Sequence, residues 1–124
     1  MDDLKHFPNQ PSETYYGNKE YKLHLIIKKN FDHIINKKAS QMLFRIIEGN
    51  GKALYIIGIK DNGDAVGIEY KKLIDSINTI KQICEKIDAS IKNIRFYKGI
   101  EGYIATIRLI MNQSKYNTKF IAFE

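Results

Sequence analysis

Between Ser40 and Ile68 the chain changes its hydrophobic period twice, and that change restricts the folds open to it. Up to Glu48 the apolar residues fall at helical spacing. Ile35, Ala39, Met42 and Ile46 form one stripe, widened by Leu43 and Ile47, while Lys37, Lys38, Gln41, Arg45 and Glu48 lie largely outside it. Gly49-Asn50-Gly51 then stops the helix, because glycine adopts the left-handed backbone of a helix C-terminus without a side-chain clash. Residues 53–59 are apolar without alternation, the pattern of a central strand covered on both faces. Asp61-Asn62-Gly63-Asp64 carries the Asn-Gly pair of a two-residue type I′ turn, which predicts that 65–68 return as an antiparallel strand.

The flanking segments complete the pattern. Residues 1–16 hold both prolines, Pro8 and Pro11, with no apolar period, and are expected to form an extended or disordered lead-in. Residues 21–27 start with Tyr21, Leu23 and Leu25 on one face, as in a half-buried strand, and Asn30 or Asp32 can cap the first helix. A second amphipathic helix is predicted from Tyr70 to about Asp88, with Leu73, Ile77, Ile80, Cys84 and Ile87 recurring at steps of four and three. Residues 90–98 and 103–111 read as a hairpin joined by Gly99-Ile100-Glu101-Gly102, with Tyr103, Ala105, Ile107, Leu109 and Met111 on one face; 119–123 could add a last short strand. The expected fold is one α+β domain over 17–124: a two-layer arrangement of a mostly antiparallel sheet of five or six strands, packed by two amphipathic helices in the order β-α-β-β-α-β-β.

Several kinds of chemistry fit poorly. Gly58-Ile59-Lys60-Asp61-Asn62-Gly63 has the glycine spacing of a phosphate-binding loop, but Asp64 and Ala65 stand where Lys and Ser or Thr are needed. His6, His24 and His33 have no ligand partner at metal-binding spacing. Cys84 lies in an apolar helical stripe, the place of a packed thiol, and as the sole cysteine it suits an intracellular chain without disulfides. No run of 18 apolar residues is present, so no membrane partner is expected.

A net charge of +6 favours an anionic partner, although the lysines are spread along the chain. Arg95, Tyr97 and Lys98 interleave cations with an aromatic and are candidates for RNA contact; the simpler reading is that Phe96 faces the core with Ile94 and these three stand on the sheet surface.

A longer pattern runs through Gly17-Asn18, Glu20-Tyr21-Lys22-Leu23 with Leu25, Gln41-Met42 and Arg45, Glu48-Gly49 with Gly51 and Ala53, then Tyr55, Gly58, Asp61, Gly63 and Gly67. In order and spacing it resembles the region preceding the GTPase domain in the GTP-binding protein one and two family, elongation-factor-like translational GTPases. The resemblance covers most of residues 17–90. Phe44 stands where that family usually has tryptophan, and from Lys92 onward only the layout agrees. It implies a non-catalytic N-terminal module acting in the cytoplasm in translation or RNA surveillance, docking a GTPase domain in cis or the ribosome. GTP and Mg²⁺ would belong to the full-length protein and no cofactor to this chain. Gln41, Arg45 and Glu48, within two turns of one helix, are the candidate partner-binding patch, with a local Arg45–Glu48 ion pair as the blander alternative. An independent RNA-binding domain using a basic, aromatic sheet face is the second reading, and a small enzyme the third. The pattern says nothing of oligomeric state.

Overall fold

The computed structural model describes residues 3–112. A parallel crossover forms the first half: β1 (Lys19–Lys22), α1 (Phe31–Glu48) and β2 (Lys52–Ile57). α2 (Tyr70–Ile87), β3 (Ala89–Lys98) and β4 (Tyr103–Met111) follow. The strands order as β1-β2-β4-β3, with β2 antiparallel to β4 and β4 antiparallel to β3. The class is α+β with two helices, as expected. The sheet, however, is mixed and has four strands among the described residues, in place of five or six mostly antiparallel ones; residues 119–123 lie outside the described part.

Two local features explain the lost strand. Gly63 donates to the Lys60 carbonyl at 2.9 Å and Lys60 to the Asp64 carbonyl at 3.1 Å, and Gly63 has a left-handed φ of 96° whereas Asn62 does not. A type I′ turn needs positive φ at both central residues, so the loop is a three-residue turn closed by a glycine bulge. Beyond it one bond, Gly67 N–H to the Gly58 carbonyl, continues the return, and Ile68 bridges only to Tyr103. A strand also has only two edges, and β1 and β4 occupy both edges of β2. The first strand is likewise shorter and earlier than 21–27: Leu23 is exposed, and Leu25 leaves the sheet to join the core beneath the helices.

The helical stripes pack as their period demands. Ile35, Ala39, Met42 and Ile46 of α1 meet Leu73, Ile77, Ile80 and Cys84 of α2 over Ala53, Tyr55, Ile57, Ala105, Ile107 and Leu109. Asn30 caps α1 with left-handed backbone, and Gly49 closes it; a Cβ there would sit 1.9 Å from the Lys52 carbonyl oxygen. Cys84 is buried 3.8 Å from the Met42 sulfur, and burial pushes its thiol up to about 12, so it is protonated and unreactive at neutral pH.

The opposite sheet face carries a smaller core of Tyr21, Ile56, Ile59, Ala65 and Ile104. Residues 3–16 form no helix or strand, yet they cross this face as an extended strap. Lys98 donates to the Lys5 carbonyl and Phe7 to the Lys98 carbonyl, both at 2.9 Å. Gln10 donates to Gly63 and Glu13 to Asp61, while the Phe7 and Tyr97 rings lie 5.0 Å apart. Backbone bonding rather than side-chain period holds the segment, which is why its sequence shows no pattern.

Candidate functional site

Arg45 stands on α1 one turn after Met42 and beside Ile46, and is 2% exposed. That position aims its guanidinium past the helix toward β1 and the strap. Nε donates to Glu20 Oε1 at 2.7 Å; Nη1 donates to the Tyr15 and Gly17 carbonyls at 3.2 and 2.9 Å, and Nη2 to the Thr14 carbonyl at 3.0 Å. Glu13 Oε2 lies 3.9 Å from Nη2. A planar fork with five donors suits this task, and an ammonium could not reach the same set.

The other two candidates join the same clamp. Gln41 Nε2 donates to Glu20 Oε1 at 3.1 Å, and Glu48 Oε1 accepts from the Gly17 N–H at 3.0 Å. Arg45 therefore turns toward Glu20 of β1, and the Arg45–Glu48 pair is replaced by separate bonds to Glu20 and to the Gly17 N–H at the end of the strap. Gln41, Arg45 and Glu48 are brought together as expected, but around residues 13–20. Glu20 was the unrecognised member. The sequence carries only a weak signal for it, a carboxylate next to Tyr21 in a short strand and an arginine flanking the apolar stripe of α1, and neither by itself pairs the two. Lys22 reaches the second Glu20 oxygen at 3.4 Å.

Above the clamp the strap turns outward. Tyr15 and Tyr16 are 78% and 68% exposed, edge to face at 4.9 Å, with Tyr15 5.9 Å from Phe44 and exposed Ile47 on the same helix. Arg45 Cζ lies 5.7 Å from the Phe44 ring centre, within cation–π range. Buried polar bonds thus hold an exposed aromatic shelf in a fixed position.

Glu13 accepts from the Tyr21 N–H, and burial, with Glu20 adding to it, raises its pKa above the usual 4.5 despite that bond. The folded state then binds more protons than the unfolded one just above pH 4.5, so ionising Glu13 lowers stability as pH rises through its folded pKa. Glu13→Gln, whose carbonyl still accepts from Tyr21, is expected to match or exceed the wild-type chain in urea midpoint at pH 7 and to lose that advantage below about pH 4.5. A lower midpoint at pH 7 that recovers in acid would contradict this sign.

The other expected residues separate. Alternation along β3 puts Arg95 and Tyr97 on the strap side of the sheet and Lys98 on the helix side with Phe96 and Ile94, so the three do not form one cluster. In the 58–63 loop, the Asp61 and Gly63 carbonyls are taken by the strap and the Gly63 N–H by Lys60. A triphosphate does not fit a loop whose donors point inward and whose rim carries exposed Asp61 and Asp64. Among the described residues no group of three or more His, Cys, Asp or Glu is placed to hold a metal, and no helix is long and apolar enough to cross a membrane.

Over 90 residues the chain is 38% identical to GTP-binding protein 2 of human (Homo sapiens) and of mouse (Mus musculus). The match takes in 71% of this chain but 14% of each of those proteins, so the chain spans a small part of their length. The similarity supports a relation to that family. No family model matches the chain, and no solved structure matches it.

Proposed function

We propose that this chain is a non-catalytic, GTPase-associated module that docks a GTPase core in cis, or the ribosome, in cytoplasmic translation or RNA surveillance. One observation carries the reading: the stretch shared with GTP-binding protein 2 is most of this chain and only 14% of that larger protein, as for an accessory segment beside a separate catalytic domain. On this reading the clamp residues Gln41, Arg45 and Glu48 act indirectly, and their bonds to residues 13–20 support it. They fix the shelf of Tyr15, Tyr16, Phe44 and Ile47, and the shelf touches the partner.

Titration calorimetry against human GTP-binding protein 2 lacking its matching 90 residues tests the docking. A Kd on the order of 1 μM or tighter is expected, weakened at least tenfold (~1.4 kcal/mol) by Tyr15→Ala with Tyr16→Ala. Absence of heat, or an unchanged affinity in the double variant, would reject the shelf as the docking surface. Separately, Mg²⁺-dependent affinity of the chain alone for GTP would contradict its non-catalytic role.

A further inference from the structure

The strap covers only half of the sheet face it crosses. It closes over Tyr21, Ile56, Ile104 and Tyr97, and the other end stays open. Register places Lys19 opposite Leu54, Leu54 opposite Arg108 and Arg108 opposite Asn93; Lys52 faces Ile110 one row beyond, and Thr106 faces Arg95 one row before. Because Ala53, Tyr55, Ala105, Ile107 and Leu109 point into the helix-side core, the residues alternating with them point away from it. In β3 both Ile91 and Ile94 pack on the helix side, so the bulge between Ile91 and Asn93 turns Lys92 and Asn93 outward together.

The result is a flat patch with Lys19, Lys52, Lys92, Arg95 and Arg108, all exposed and none in an ion pair among the described residues. The rows that form it contain no Asp or Glu. Asp3 of the strap lines the cleft beside Arg95; the strand rows themselves offer the five cations no carboxylate, so they repel one another, and a polyanion relieves that repulsion. We infer that this open half-sheet docks the backbone of an RNA duplex.

Two features select that occupant. Tyr97 is engaged with Phe7, which leaves the strand rows of this patch no free flat ring for stacking single-stranded bases. The wide, shallow minor groove of an A-form duplex, flanked by its phosphates, presents itself to a broad sheet face of this kind, whereas the deep, narrow major groove does not. The inference uses other residues than the aromatic shelf and does not depend on GTPase docking.

Fluorescence anisotropy with a labelled RNA duplex of about 16 bp tests it. If all five cations meet phosphates, log K falls with log salt at a slope of about −4.5, roughly a 500-fold weakening between about 50 and 200 mM. Arg95→Glu with Arg108→Glu should flatten that slope by about 2, while the charge-matched control Lys71→Glu with Lys81→Glu on α2 should leave it nearly unchanged. Lys52→Gln with Lys92→Gln gives the same flattening should the charge reversal disturb folding. No binding at low salt, equal losses in the α2 control, equal affinity for the same-sequence DNA duplex, or preferential binding to phosphatidylserine vesicles would each overturn the assignment.

Discussion

Arg45→Ala is expected to lower folding stability by about 3–5 kcal/mol, the range for removing one partner of a buried, hydrogen-bonded ion pair. For a domain of this size that is a fall in Tm of roughly 10–20 °C. The reason is geometric: one side chain satisfies Glu20 and the carbonyls of Thr14, Tyr15 and Gly17, and without it Glu20, itself buried, keeps only Gln41 and Lys22. Arg45→Lys should recover little, because an ammonium cannot span Glu20 on one side and Thr14, Tyr15 and Gly17 on the other. Glu20→Gln in the Arg45→Ala background should restore part of the loss, since it removes the stranded charge. Calorimetric or urea unfolding of the four proteins measures this; a loss under about 1 kcal/mol for Arg45→Ala would mean that water replaces the guanidinium without penalty.

The second large effect is expected at Gly63. A Cβ added there would lie 1.8 Å from the Gln10 carbonyl oxygen, on a backbone already at φ +96°. Neither the turn nor the strap can yield while Gln10 and Glu13 bond to Gly63 and Asp61. Gly63→Ala should therefore cost about 2–4 kcal/mol, combining left-handed strain with loss of the strap contacts. Hydrogen exchange separates the two substitutions: Gly63→Ala speeds exchange at the Gln10 and Glu13 amides, and Arg45→Ala at the Gly17 amide held by Glu48. As both loosen one segment, their combination should cost less than the sum. Additive losses would show that the two halves of the strap detach independently.

The helices and β4 were legible because each buries one face against a uniform layer, so its period survives in the sequence: Met42 and Ile46, Ile80 and Cys84, Ile107 and Leu109 all sit where spacing places them. β2 was legible for the opposite reason, an apolar run covered on both sides. The extra strand after Gly63 was misread because Asn-Gly fits more than one turn, and the occupation of both β2 edges is a tertiary fact. The candidate site was legible as a set but not in its role. Gln41, Arg45 and Glu48 share a helix face in either case, and only the three-dimensional course of residues 13–20 shows what that face holds.

The strap also sets an order of events in time. Its anchors at Asp61, Gly63 and Lys98 emerge during synthesis long after Phe7, Gln10 and Glu13. The gap between Phe7 and Lys98 is roughly ninety residues, on the order of 5–20 s of translation, during which this stretch has no surface to lie on. Hence β3 and β4 must form before the strap can close, and a segment made well before its anchors is placed after them. In a pulse-labelled refolding experiment, the Phe7 and Gln10 amides should gain protection after those of β4.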